Sequence, residues 1–170
     1  MAVIEAIATQ YLEADTASVT FSSIPATYEH LQLRMSIRSG AAAGFTSPRV
    51  QLNSDTDANY AYHRMYGTGS TAAAAATSPN SYIFLNADSN TDDASADFSG
   101  MVLNFLDYAN TNKNTTVQGQ LGTRLSSATP AVYFVSGLWD ATAAVSTIKI
   151  YEYSLLARGS EFTLYGLNSS

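Results

Sequence analysis

Between positions 130 and 167 the side chains change character with a period of two, and no other property of the chain narrows its fold as much. Val132, Phe134, Ser136 and Leu138 alternate with Tyr133, Val135, Gly137 and Trp139. Successive side chains point to opposite sides only in an extended chain. Both sides of this run are largely apolar, which predicts a strand set deep in a sheet sandwich. Residues 145–151 follow with Ile148 and Ile150 against Lys149 and Tyr151, the pattern of a half-exposed strand. Arg158-Gly159-Ser160 turns the chain. Residues 161–167 then place Phe162 and Leu164 on one side and Thr163, Tyr165 and Leu167 on the other. Three strands in succession close the chain and lock its C-terminus into the core.

The same period recurs upstream. Residues 16–24 carry Ala17, Val19 and Phe21 between polar neighbours, and Pro25 ends the run because it cannot donate to a ladder. Residues 28–38 set Leu31, Leu33, Met35 and Ile37 against a wet face. Shorter strands are read at 49–53 and 82–85, and a central one at 98–108. Residues 115–122 read as a polar strand near an edge. The type of 59–66 stays open between strand and helical turn, with Tyr60, Tyr62, His63 and Tyr66 crowded together. The run from Ala72 to Ala76 is too short to nucleate a helix, so 67–79 is expected to be a surface loop. The total is eight or nine strands with turns at regular intervals. That predicts an all-β fold, an antiparallel two-sheet β-sandwich of jelly-roll type, as a single domain over 16–170 preceded by a short N-terminal arm over 1–15.

A chain of 170 residues can bury its own core, and 46% hydrophobic residues rule out intrinsic disorder. Only 13% of the residues are charged, so uncharged polar groups cover the outside, as they do where surfaces press against neighbours in an assembly. A formal net charge of −6 with eight basic residues argues against nucleic acid as a partner, because phosphate neutralisation needs a Lys/Arg patch. With no cysteine, disulfides and thiolate metal sites are excluded. No stretch approaches the roughly 18 apolar residues of a membrane helix, and 1–15 lacks a basic leader followed by an apolar core. No membrane association and no cleaved signal are therefore expected.

Catalytic constellations are not found. A Ser-His-Asp arrangement would need His30 or His63, yet His30 falls on a wet strand face and no Gly-x-Ser-x-Gly elbow exists. His63 is expected to pack among tyrosines. Asp55, Asp57, Asp88, Asp92 and Asp107 could supply carboxylate pairs, but so could any acidic loop. Asn86, Asp88, Asn90, Asp92 and Asp97 loosely follow a calcium loop, with Thr91 where glycine belongs and Asp in place of the final Glu. A solvated turn is expected there, with no metal and no cofactor. Gly67-Thr68-Gly69 lacks the lysine and the strand-to-helix context of a phosphate loop. Tyr60, Tyr62 and Tyr66 form the local aromatic cluster, expected to pack at the core edge, with sugar stacking or a protein interface as the alternatives.

Four blocks, in this order and spacing, resemble a family of jelly-roll virion proteins from tailed bacteriophages, common in phages of aquatic bacteria. They are Ala17-Ser18-Val19-Thr20-Phe21-Ser22-Ser23-Ile24-Pro25 with Thr27-Tyr28-Glu29-His30-Leu31; Leu52-Asn53-Ser54-Asp55-Thr56 with Asn59-Tyr60 and His63; Leu106-Asp107-Tyr108-Ala109-Asn110-Thr111-Asn112-Lys113; and Ser136-Gly137-Leu138-Trp139 with Phe162-Thr163-Leu164-Tyr165-Gly166-Leu167. The resemblance implies a non-enzymatic particle component, first of all a capsid decoration or cement protein, assembled into virions in the host cytoplasm. Its implied partners are the major capsid protein and other virion subunits, with a homotrimer favoured. Contacts are expected from the N-terminal arm, through Met1, Val3, Ile4, Ile7, Tyr11 and Leu12, and from Tyr60, Tyr62 and Tyr66. The alternative is a tail-fibre or host-adhesion module whose tyrosines bind surface glycan. Residues 67–81 and 86–97 depart from the family pattern.

Overall fold

The computed structural model describes residues 3–40, 47–85, 98–124 and 129–169. Twelve strands occupy them, in chain order β1 (Val3–Tyr11), β2 (Thr16–Phe21), β3 (His30–Ile37), β4 (Arg49–Leu52), β5 (Tyr60–Thr68), β6 (Thr71–Asn80), β7 (Ile83–Phe84), β8 (Ser99–Leu106), β9 (Thr115–Arg124), β10 (Pro130–Trp139), β11 (Ile148–Leu156) and β12 (Glu161–Asn168). No helix occurs among the described residues. Eight strands form one antiparallel sheet in the order β1-β12-β3-β8-β9-β10-β5-β6, and four form a second in the order β2-β11-β4-β7. The two-sheet antiparallel sandwich is the architecture that the alternation predicts.

The inner faces of the two sheets make the core. Leu31, Leu33 and Ile37 of β3, Leu103 and Phe105 of β8, and Phe162 and Leu164 of β12 meet Val50 and Leu52 of β4 and Ile148 and Ile150 of β11 in one buried cluster. Each such side chain contributes about 1.5–3 kcal/mol when fully removed from water. The turn after β4 is tied into this frame by its own polar side chains. Asn53 and Ser54 both adopt positive φ, 52° and 57°. Asn53 Oδ1 accepts from the backbone amides of Ser146 and Thr147 at 2.8 and 3.1 Å, and Asn53 Nδ2 donates to the Ala144 carbonyl at 2.8 Å.

Four sequence expectations change. Residues 1–15 do not form an arm over their described length: β1 is an edge strand of the large sheet, paired with β12 from Val3↔Asn168 to Tyr11↔Glu161. Its side chains are mostly exposed on both sides, so backbone pairing and not apolar alternation holds it. Residues 67–79 are not a loop either. They complete β5 and form most of β6, a hairpin paired in register from Thr68↔Thr71 to Tyr62↔Thr77, which also settles 59–66 as strand. With β1, β5 and β6 the strand count rises from eight or nine to twelve. Lastly, β9 lies in the interior of the sheet between β8 and β10, not near an edge. It reads as polar because one inward position is Gly119, where a Cβ would stand 2.5 Å from Leu103 Cδ2.

Candidate functional site

The small sheet packs on one face of the large sheet, and the opposite face decides what this molecule presents. β10 is interior to its sheet, but only Ala131, Tyr133, Val135, Gly137 and Trp139 face the core. Its other face is bare. Val132, Phe134 and Leu138 are 53%, 51% and 38% exposed, and Met65 on the adjacent β5 is 54% exposed. This corrects the expectation of a strand buried on both faces.

Strand register arranges these side chains in rows. Phe134 is flanked by Met65 on one side and Gln120 on the other, and Met65 in turn by Ala74 of β6. The row from Val102 of β8 through Gln120, Phe134 and Met65 to Ala74 therefore carries no charged side chain. One step along, Ser136 lies between His63 and Gln118, with Asn104 and Gln32 beyond. Gln32 Nε2 donates to Asn104 Oδ1 at 2.8 Å, and Arg34 Nε donates to Gln32 Oε1 at 2.8 Å, so the polar end of that row is fixed. A depression of about 270 Å³ opens between the apolar and amide rows, lined by His63, Met65, Gln118, Gln120 and Phe134. His63 thus points outward, away from the tyrosines it was expected to join, because it is an odd-numbered residue of β5 and they are even-numbered.

Those tyrosines face the other way. Tyr60 is 1% exposed; its hydroxyl accepts from the Leu52 amide at 2.9 Å and donates toward the carbonyls of Leu52 and Asp55, each at 3.2 Å. Tyr62 leans on Phe84 and Tyr66 stacks on Tyr133, with ring centroids 6.0 and 5.5 Å apart, both half-buried against the core. Tyr60 is therefore buried, and Tyr62 and Tyr66 pack at the core edge as expected of the cluster, so the three rings form no shared exposed platform of the kind the sugar-stacking alternative needs.

A different aromatic group reaches solvent, on the outer side of the small sheet. The Arg49 guanidinium lies 4.7 Å from the Tyr82 ring centroid, 5.5 Å from Tyr153 and 5.9 Å from Tyr151. Tyr153 is 83% exposed. Burial raises the Tyr151 hydroxyl pKa above its ordinary value, partly opposed by Arg49. The signal available in the sequence was the odd-numbered series Lys149, Tyr151, Tyr153, which alternation assigns to one face of β11.

Of the N-terminal candidates, Val3, Ile4 and Tyr11 are exposed, Ile7 is half-buried against the core, and Leu12 is buried, its amide donating to Ser160 at 2.9 Å. Met1 lies outside the described residues, as do Asn86, Asp88, Asn90, Asp92 and Asp97. Glu29, His30 and Asp107 bring possible ligand atoms within 4.8 Å of one another, but Lys113 already forms an ion pair with Asp107 and the Asp107 amide donates to His30 Nδ1 at 3.0 Å. Asp55 is committed to Trp139, whose indole Nε1 donates to it at 2.7 Å. Burial pushes the Asp55 carboxyl up, and the donors Trp139, Asn59 and the Asp57 amide outweigh it, leaving the group below the usual carboxylate value. Among the described residues, Asp55 and Asp107 are thus held by structural partners.

No family model, curated protein or solved structure matches this chain.

Proposed function

We propose that the protein is a non-enzymatic structural component of a tailed-phage virion, a capsid decoration or cement protein that docks on the major capsid protein shell through the outer face of its large sheet. The observation that carries this is the uncharged strip of Met65, Val132 and Phe134, each about half exposed on an ordered sheet. A rigid apolar strip with an amide margin has the make-up of an interface centre, where charged groups are depleted and aromatic and methionine side chains concentrate. The ordered sequence blocks and the two-sheet sandwich support the same assignment. The N-terminal segment adds exposed Val3, Ile4 and Tyr11 at the far edge of the same sheet.

Imaging of the intact particle by electron microscopy tests it, together with add-back of purified variants to stripped particles. Copies in proportion to capsid subunits are expected, and Phe134→Ala is expected to weaken binding about 30-fold, the effect of losing a central anchor of about 2 kcal/mol. A few copies at the tail tip would refute the capsid assignment, and full occupancy by Phe134→Ala and Met65→Ala proteins would refute docking through the outer face of the large sheet.

A second function is favoured by the solvent-facing Tyr153 beside Arg49 and Tyr82: a host-adhesion module that stacks glycan rings on the small sheet. It requires that purified protein bind host cells and that Tyr153→Ala abolish this while the fold is kept. Equal binding by wild type and variant removes it.

A further inference from the structure

A β-sheet edge displays unpaired backbone N–H and C=O groups and templates further pairing unless something blocks it. Among the described residues this sandwich has four edges, β1, β6, β2 and β7. β7 is only two residues long. The outer side of β2 is engaged by Gln10, whose Nε2 donates to the Thr20 carbonyl at 2.9 Å. β1 carries Glu5 at mid-strand and a register shift between Ala6 and Ala8, which breaks the regular spacing of its ladder groups. On β6 a register shift and Pro79 occur only beyond Thr77, at the C-terminal end of the strand. From Thr71 to Thr77 it holds no charge and no proline, and its pairing with β5 keeps one register over that length. Among the described residues nothing pairs with its outer side.

We propose that β6 pairs antiparallel with β6 of a second copy of this chain, joining two large sheets across a two-fold axis. The hairpin fixes which groups are available. Thr68↔Thr71 closes the Gly69-Ser70 turn, so the N–H and C=O of Thr71, Ala73 and Ala75 face β5, and those of Ala72, Ala74 and Ala76 face away from the sheet. Centring the axis on Ala74 matches Ala72 with Ala76 of the copy and Ala74 with itself. Each matched pair exchanges two bonds, about six in all.

The occupant follows from self-complementarity. A run of methyl side chains offers no charge or pocket by which to select a foreign strand, whereas an identical strand reversed meets every free donor with an acceptor in one register. Small side chains on both faces of β6 add no bulk at the seam. The pairing continues the apolar strip, since Ala74 neighbours Met65 and Met65 neighbours Phe134, so the two strips run toward each other across the axis. A closed trimer would need β6 to pair with a different edge, and the other three are blunted. The two-fold pair takes the place of the trimer implied by the phage resemblance.

Sedimentation velocity on the full chain, with hydrogen exchange at Ala72, Ala74 and Ala76, tests this. At about 100 μM the mass should be twice the 18.1 kDa of one chain, and the three amides should exchange about tenfold or more slowly than at about 1 μM. Ala74→Lys sets two like charges opposite each other at the axis, and Ala76→Lys charges a flanking pair. Both should be monomers with wild-type circular dichroism and melting temperature at low concentration. A wild-type monomer at the higher concentration, a trimer, or a dimer that survives both lysine substitutions with these amides unprotected would overturn the proposal.

Discussion

Adding a single methyl group at Gly137 should loosen the grip of one sheet on the other. A Cβ there would lie 2.6 Å from Ile83 Cδ1, 2.7 Å from Cγ2 and 2.9 Å from Cγ1. Carbon atoms in good contact stand about 3.5–4.0 Å apart, so all three approaches are deeply repulsive. Ile83 cannot swing clear: it is fully buried on β7 of the small sheet, and its β-branched χ1 is stiff. Relief must come from moving the sheets or distorting Ile83, at about 1–3 kcal/mol. Lower chain entropy in the unfolded state returns about 0.4–1 kcal/mol of that. For a chain of this size each kcal/mol moves the melting temperature by about 2–4 °C, so Gly137→Ala should melt several degrees below wild type. Ile83→Ala alone should cost about 2–5 kcal/mol through its cavity. The double variant places the new methyl into the space that Ile83 vacates, and should be more stable than the sum of the single losses by at least about 0.5 kcal/mol. Urea denaturation of the four proteins measures this. A Gly137→Ala protein as stable as wild type, or strict additivity in the cycle, would refute the packing of β10 on β7 described above.

Three further outcomes concern the Trp139 end of the core. Asp55→Ala removes the acceptor of the buried Trp139 indole N–H and should cost about 1–3 kcal/mol by urea denaturation. Because the folded-state pKa of Asp55 is lowered, its contribution is complete above the ordinary carboxylate pKa of about 3.9 and is lost as pH falls through the folded value; Asp55→Asn should lack that segment of the acid profile. The Tyr60 hydroxyl is pushed up to about 12 by burial, opposed by its bond from the Leu52 backbone and reinforced by the nearby Asp55 charge. Its contribution should be whole below about pH 10 and fall as pH rises through about 12, and Tyr60→Phe should flatten that alkaline decline while lowering stability at neutral pH.

Alternation alone determined much of this molecule. It specifies an all-β chain and the inward set Leu31, Leu33, Met35 and Ile37 on β3. It could not disclose β6, because a run of alanines has no hydropathy contrast from one residue to the next. Nor could it disclose β1, whose neighbouring Val3 and Ile4 are both exposed at a sheet edge. β9 was misplaced because Gly119 fills an inward position with no side chain, leaving Leu103 to occupy the space. The candidate surfaces depended on tertiary structure most of all. Sequence shows that Val132, Phe134 and Leu138 share one face of a strand and Tyr133, Val135 and Trp139 the other. Which face meets a second sheet is decided by pairings between residues far apart in the chain, and here the small sheet packs on one face of the large sheet alone. The same cause sent Tyr60 inward to bond the β4 turn and left Phe134 in water.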